Sequence, residues 1–495
     1  MSAQAQASAQ LQENVAESSE FDRLLETSFA AKTDERRSAV KSAVQVLIDS
    51  ISPGSTALTD DAITFIEGAI AEIDKKLSKQ LNVIMHHAEF TRLEGSWRGL
   101  AHLVFNTETD TMLKIKVMNV SKKEVHRTLK SYKGAMWDQS PLFKKIYEEE
   151  FGTPGGAPFG ALIGDFNFDH SAPDVECLRD LSKIAATAHC PFIAAASPNL
   201  LNMETWQQLG DKRDLAKIFD TVEYAGWKSL RESEDSRFIG LAMPRFLARL
   251  PYSTKNNPVD AFAFEEEADS SDHGNYVWSN AAYAMGTNIT RAFKKSGWCA
   301  QIRGVESGGL VENLPVHAFP TDDGGVDMKC PTEIAITDRR EHELARLGMM
   351  PLSHWKNTDY AAFIGAQSLQ KPAKYDDKDA TANANLSARL PYLFACCRFA
   401  HYLKCIVRDK IGSFKERDDM QLWLNSWIMQ YVTDSGASDE AKAEKPLSAA
   451  EVSVQANPED PGYYRAQFSL RPHFQLEGVN ISLRLVSRLP SERKS

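Results

Sequence analysis

Residues Trp227–Tyr252 read WKSLRESEDSRFIGLAMPRFLARLPY. The block sets five Lys/Arg (Lys228, Arg231, Arg237, Arg245, Arg249) and three acidic residues (Glu232, Glu234, Asp235) around the apolar run Phe238–Met243. An uninterrupted apolar run of that length reads as a short strand. The block carries no histidine, cysteine or glycine-rich loop, so it lacks the usual groups for nucleophilic, metal or phosphate chemistry. Charge this dense beside a strand is expected to form a surface that meets protein. Arg231, Glu232, Glu234, Asp235 and Arg237 are the expected ion-pair and packing positions within the subunit, divided between charges that hold the fold together and charges that face a neighbour.

Outward from this block, short strand patterns alternate with helical ones. GALIGDF, PFIAAAS, RFIGLAM, TEIAITD and AAFIGAQ read as strands. Helices are expected near Asp174–Ala188, Glu204–Tyr224, Tyr276–Ser296 and Asp338–Leu347. The fold class is therefore α+β, a mixed α/β body within a multi-domain chain. Gly152–Pro158 (GTPGGAP) marks a break, and before it Thr111–Val120, TMLKIKVMNV, alternates as a half-buried strand should. The expected division is an N-terminal arm over 1–59, the body over 60–370 and a C-terminal domain over 380–495.

The cleanest periodicity is Ile63, Ile66, Ile70, Ile73 and Leu77, spaced 3-4-3-4, with Thr59 as N-cap. The stripe is either a helix lying on its own core or a seam for a helix from a partner, because this is the two-helix heptad spacing. Two further helical patterns, Phe21–Phe29 and Glu35–Ile51, precede it. Near the other end, Asn383–Ile411 and Phe414–Val432 read as helices, and Asp434–Pro446 (DSGASDEAKAEKP) as a surface linker. Three strand patterns follow at Glu451–Gln455, Tyr463–Arg471 and Val479–Val486. In the last, Val479, Ile481, Leu483 and Leu485 alternate with polar residues, so one face is buried.

Composition bounds the function. A 495-residue chain with 43% hydrophobic and 25% charged residues has the make-up of a globular protein of about three domains. A net charge of −10 excludes broad binding to nucleic acid or an anionic membrane, which needs clustered positive charge. Seven scattered cysteines without a C-x-x-C pair fit a reducing, cytosolic compartment. The first twenty residues, MSAQAQASAQLQENVAESSE, lack the basic start and apolar core of a signal peptide.

The search for chemistry finds no catalytic group, cofactor motif or metal site of adequate specificity. Gly155 and Gly160 have phosphate-loop spacing, but Ala161 and Leu162 stand where Lys and Ser/Thr are needed. Asp322–Asp327 has the composition of a calcium loop without its register. His86-His87 lacks the i, i+4 pairing of a zinc protease. Cys397, His401 and Cys405 fall on one helix face, but successive turns spread them over roughly 12 Å, too far for one ion to bind all three. Asp165 with Asp169, and Glu265–Glu267, read as solvated faces without a paired nucleophile.

Long ordered motifs then carry a resemblance. They include AEIDKKLSKQLNVIMHHAEF (Ala71–Phe90), LEGSWRGL (Leu93–Leu100), PFIAAASP (Pro191–Pro198) and SLRESEDSRFIGLAMPRFLARLPY (Ser229–Tyr252). GWCAQIRGVESGG (Gly297–Gly309), CPTEIAITDRREHELA (Cys330–Ala345), RFAHYLKCIVRDKIGSF (Arg398–Phe414) and PHFQLEGVNISLRLVSRLP (Pro472–Pro490) extend them. With these the chain resembles the large subunit of the type VI secretion contractile sheath, the TssC/VipB family, which is related to contractile phage tail sheath proteins. The resemblance implies a structural, non-enzymatic subunit without cofactor. It implies a heterodimer with a small sheath subunit of the TssB/VipA type and helical polymerisation with other copies of itself around an inner tube of the Hcp type. A baseplate and recycling by a ClpV-type ATPase follow from the same resemblance. A phage-like or extracellular-injection sheath, which would assemble without a small partner, and a cytosolic metal-dependent enzyme at Cys397/His401/Cys405 stay as alternatives.

On that reading, strands exchanged between subunits carry Tyr464, Ala466, Phe468, Leu470, Val479, Ile481, Leu483 and Leu485, so the C-terminal sheet is open to inter-subunit strand exchange. The stripe Ile63, Ile66, Ile70, Ile73 and Leu77 faces the small subunit. Lys415, Glu416, Arg417, Asp418 and Asp419, a charged start to an otherwise apolar helix, face the tube.

Overall fold

The computed structural model describes residue 42 and residues 62–210, 214–268, 273–320, 324–409, 417–456 and 464–473. Two compact units result, Met1–Phe90 with Pro251–Asp269 and Thr91–Leu250 with Ser270–Ser495.

In the first unit the 3-4 spacing folds as helix α1 (Ala62–Met85). The face it buries is not the isoleucine stripe. Ala69, Ser78 and Asn82 are buried, while Ile70, Leu77, Val83 and Ile84 are exposed. The covering segment is 251–268. Asn82 donates from Nδ2 to the Glu265 carbonyl at 2.9 Å and accepts from the Glu267 N–H at 3.0 Å. Glu265 and Glu267 thus dock through their backbone while both residues stay exposed, and only Glu266 is partly buried. Glu266 accepts the Tyr252 N–H at 2.8 Å, and Glu265 accepts from the Thr254 hydroxyl at 2.6 Å, because a loop on a helix must satisfy its backbone donors locally.

The second unit is built on a six-stranded sheet of order β1-β2-β3-β9-β10-β6. Its strands are β1 (Leu162–Phe168), β2 (Phe192–Ala196), β3 (Ile239–Met243), β6 (Leu310–Val311), β9 (Met350–His354) and β10 (Ala361–Phe363). The first four run parallel, and β10 and β6 complete the sheet antiparallel. Strands β2 and β3 are buried at every residue, since helices cover both faces of a parallel sheet. Between β3 and β6 come two short strands, β4 (Phe246–Leu247) and β5 (Trp278–Ser279), and between β6 and β9 the hairpin β7 (Ala318–Pro320) with β8 (Val326–Met328).

Helices α2 (Ala88–Phe105), α3 (Lys122–Ser131), α4 (Ala172–Ala188), α5 (Ala225–Glu232), α6 (Ala281–Ser296) and α7 (Asp338–Arg346) pack around this sheet. Helix α6 starts at an Asn280 cap and ends at Gly297, whose φ of 75° suits glycine. A Cβ at Gly99 would stand 2.4 Å from the Tyr283 ring, so glycine allows α2 its close approach to α6.

The opening block supplies the third strand of this sheet, and its charges divide between packing positions within the subunit, as at Arg231, and exposed ones, as at Glu232 and Glu234. Its apolar run is the buried strand β3. Two of its arginines, Arg231 and Arg249, are buried, and a buried guanidinium must find acceptors. Arg231, 7% exposed, donates from Nε to the Leu369 carbonyl at 3.0 Å and from Nη2 to the Arg346 carbonyl at 3.2 Å. Burial lowers its pKa to about 10. Arg245 makes a two-bond fork to buried Glu333 at 2.8 and 2.7 Å. Arg249 reaches Glu94 at 2.6 Å, a carboxylate it shares with Arg98 at 2.7 Å. Burial acts to raise the Glu94 pKa, but these two guanidinium groups outweigh it and hold the carboxyl below its ordinary range. Glu232 and Glu234 point outward.

Several local expectations fail for identifiable reasons. TEIAITD is not a strand. Thr332 makes a single bridge to Phe246, and the fourth parallel strand is β9, whose Pro351 and flanking glycine obscured it. Glu204–Tyr224 breaks into helical turns at Trp206–Gly210 and Val222–Tyr224 around the short helix Leu215–Ile218. Thr111–Val120 forms no regular element and is mostly exposed, and among the described residues no strand pairs with it. Asn383–Ile411 divides into α8 (Lys378–Ser387) and α9 (Leu390–Asp409), because Arg389 bridges to Gln367 between them. The supposed linker after Asp434 contains helix α11 (Asp439–Glu444), capped by Ser438.

Candidate functional site

The C-terminal segment supplies the most specific geometry. Helix α10 (Arg417–Met429) and the ribbon β11 (Leu447–Ala456) with β12 (Tyr464–Pro472) share a second core with α9. Trp298, Phe399, Leu424, Ile428, Val452 and Val454 form its centre, with Trp298 stacked on Phe399 at 4.3 Å between ring centroids.

The two edges of this ribbon differ. Along β11, Asn425 of α10 donates from Nδ2 to the Val452 carbonyl at 3.2 Å and accepts the Val452 N–H at 2.9 Å. Gln421 accepts the Val454 N–H at 3.0 Å. Side-chain amides thus stand in for a neighbouring strand, and that edge is closed. They also fix the parity of the ladder. Val452 and Val454 spend their backbone groups on α10, so their partners Phe468 and Ala466 sit in non-hydrogen-bonded pairs. The N–H and C=O groups of Ala466, Phe468 and, by the same alternation, Tyr464 and Leu470 point away from β11. Among the described residues nothing meets them. An edge of four outward-facing residues is a template for an added strand.

Tyr464, Ala466, Phe468 and Leu470 are therefore brought together on the open edge. Val479, Ile481, Leu483 and Leu485 lie outside the described residues, as do Lys415 and Glu416. Asp418 and Asp419 are exposed in the first turn of α10, where acidic groups complement the positive end of the helix dipole. Of Arg417 only the backbone is described, at the helix start.

The α1 stripe is solvent-facing where its side chains are described. Ile70 is 50% and Leu77 46% exposed, and Ile73 is half-buried. The side chains of Ile63 and Ile66 fall outside the described set. A second apolar face was not read from the sequence. On α2, Leu93 (56% exposed), Trp97 (65%) and Phe105 (87%) face solvent, while Gly95, Gly99 and Leu103 bury the opposite side. The signal that would have found it is Phe90, Leu93, Trp97 and Val104, spaced 3-4-7, with Leu100 between them packed against the core. Large apolar groups exposed in a row mark interaction surfaces.

Groups with catalytic potential serve the fold instead. Asp169 and Asp174 organise the start of α4, Asp169 accepting the Ser171 N–H at 2.8 Å and Asp174 accepting the Asp169 N–H at 2.9 Å and the Lys122 ammonium at 2.6 Å. His401 donates from Nε2 to the Ala188 carbonyl at 2.9 Å, and burial lowers its pKa to about 4. Cys397 beside it is buried and its thiol is pushed well up. Among the described residues no three His, Cys, Asp or Glu side chains converge on a metal position. No described helix is long and apolar enough to cross a membrane.

Two family descriptions match. Residues 67–370 fit the VipB (EvpB/VC_A0108) tail sheath N-terminal domain, and residues 379–489 the companion tail sheath gpW/gp25-like domain. The chain is 62% identical over 489 residues to the type VI secretion system sheath protein TssC1 of Pseudomonas aeruginosa, covering 98% of both chains. Among solved structures it matches a baseplate chain of the anti-feeding prophage at a TM-score of 0.37 and 10% identity, over 76% of this chain and 84% of that one. It also matches the contracted helical sheath of the same prophage at 0.27 and 11%, over 63% and 75%. At these scores the structural likenesses add nothing to the family match.

Proposed function

This chain belongs to the VipB tail sheath family, and from that premise we propose that it is the large structural subunit of a type VI secretion contractile sheath. It forms a heterodimer with a small sheath subunit, polymerises helically with copies of itself in the cytoplasm, and contracts around an inner tube seated on a baseplate. A recycling ATPase acts on the contracted polymer. The role is mechanical and not catalytic.

The observation that carries the reading is the asymmetric C-terminal ribbon. A helical polymer needs joints that do not close on themselves. An edge sealed by Asn425 and Gln421 opposite an edge left open gives such a joint direction. The open backbone row on β12 can take a strand from a neighbour, and the division near residue 370 separates that joint from the body. The exposed stripes of α1 and α2 are the surfaces offered to the small subunit, and Asp418 and Asp419 are offered to the tube.

The test is expression with and without the adjacent small-subunit gene. Hollow striated tubes in electron micrographs are expected only when both chains are present. Tubes from this chain alone would overturn the two-component reading in favour of a phage-type sheath.

A further inference from the structure

Lys114–Val120, KIKVMNV, is strand-like in sequence and unpaired in the fold. The chain just before it is pinned, since the Asp110 carboxylate accepts the Met112 and Leu113 N–H groups at 2.7 and 2.8 Å. From Lys114 to Val120 no backbone N–H or carbonyl has a hydrogen bond among the described residues. Ile115 and Val120 pack inward on the core, while Val117 and Met118 are exposed. The segment runs along β1, the outermost strand of the sheet on this side. Near its start Lys116 lies 5.3 Å over the ring of Phe159, just ahead of β1, and past its end Lys122 donates to the Asn167 carbonyl at 2.6 Å. The Leu162 N–H and the Phe168 carbonyl are spent on the β2 side, on the Pro191 carbonyl and the Ser197 N–H. The Asn167 carbonyl faces the other way, and among the described residues no strand lies there. A row of unspent donors and acceptors beside exposed apolar residues and a free sheet edge is what an added strand requires.

Charge says what kind of strand fits. Residues 114–133 hold seven Lys/Arg against one acid, Glu124, in a chain whose net charge is −10. Three of the seven are engaged inside the fold, Lys116 with Glu150, Lys122 with Asp174 and Lys133 with Glu176. Lys114, Lys123, Arg127 and Lys130 stay exposed. The strands that a second copy of this chain could offer carry charge of the same sign. β12 holds Arg465 and Arg471 and no acid, and Val479–Val486 holds Arg484 and no acid. β6, β7 and β8 are only two or three residues long. Like charge side by side disfavours a copy, so the occupant is a different chain with an acidic strand.

On the two-component sheath reading, on which this rests, we propose that one acidic strand of the small subunit adds to Lys114–Val120 and carries the six-stranded sheet past β1. Backbone pairing along the segment supplies the affinity. Val117 and Met118 are covered by apolar residues of that strand, and its Asp or Glu side chains meet Lys114 and Lys123.

The experiment compares the full chain alone with its heterodimer with the small subunit, by hydrogen–deuterium exchange. The amides of Lys114–Val120 should exchange at least about tenfold more slowly in the heterodimer. Neighbouring residues of a strand aim their N–H groups at opposite edges, so one of Val117→Pro and Met118→Pro deletes a docking donor whatever the register. Neither N–H is bonded in the free chain, so both variants should keep the parent melting temperature, and at least one should raise the heterodimer's Kd about tenfold. Lys114→Glu should weaken the heterodimer at low salt and match the parent at high salt. A heterodimer whose Lys114–Val120 amides exchange at the free-chain rate overturns the proposal and leaves the sheath reading standing. Parent affinity in both proline variants overturns it too, and parent affinity of Lys114→Glu at low salt overturns the acidic character of the strand. Absence of any heterodimer would overturn the two-component reading along with it.

Discussion

Proline scanning of β12 separates the ribbon's two kinds of backbone group. Ala466 stands opposite Val454 in a non-hydrogen-bonded pair, so its N–H points to the open edge. Gln467 stands opposite Ser453 in the alternate, hydrogen-bonded pair, so its N–H is used inside the ribbon. Proline deletes one N–H in either case. In Ala466→Pro the lost donor is the outward one, the side chain is small, and Arg465 before it is already extended as proline requires. The isolated subunit should lose about 1 kcal/mol or less. If a neighbour's strand docks here, each joint loses a hydrogen bond and strands a buried acceptor, at about 1–3 kcal/mol. At about 1.4 kcal/mol per factor of ten, the critical concentration for sheath assembly rises roughly 5- to 140-fold. Gln467→Pro should do the reverse, lowering the subunit's melting temperature through loss of a ladder bond. Sedimentation of tubes over a concentration series, paired with thermal melts, reads both effects. Unchanged assembly of Ala466→Pro would refute the assignment of β12 as the accepting edge.

Two further outcomes are expected. Leu77→Asp places a charge on the exposed α1 stripe, so co-purification with the small subunit should fall at least about tenfold while the melting temperature holds; retained capture would remove α1 from that surface. His401 has a folded pKa near 4 against an ordinary 6.5, so as pH falls the unfolded chain takes the proton first. The stability tied to neutral His401 is thus complete above about pH 6.5 and lost progressively towards pH 4, at most about 3 kcal/mol. His401→Gln, which keeps a donor for the Ala188 carbonyl, should flatten that limb in melts taken against pH. A parallel limb in both proteins would show that His401 does not titrate this way.

Membership of the sheath family and the mixed α/β class were legible in sequence because both rest on local order. The buried strands β2 and β3 are unbroken apolar runs, and α1 and α6 announce themselves by spacing and by caps such as Asn280 and Gly297. Tyr464, Ala466, Phe468 and Leu470 were named from the family resemblance together with the strand pattern Tyr463–Arg471. Alternation tells which residues share a face. It does not tell which edge of the strand is taken, since that depends on Asn425 and Gln421 arriving from a helix 27 to 33 residues away.

Sequence by itself determined the periodicities, and through them the element types and the apolar stripe of α1, and its long motifs carried the resemblance to the family. Tertiary structure decided what those elements face. The stripe of α1 could be read as a core face or as a seam for a partner helix; Ile70 and Leu77 are exposed, and the polar pair Ser78 and Asn82 docks the 251–268 loop. Within the charged block Arg231 is buried, because its guanidinium finds the Leu369 carbonyl 138 residues along the chain, while Glu232 and Glu234 stay exposed. Charge and apolarity are properties of a residue, but burial depends on a partner that no local window contains.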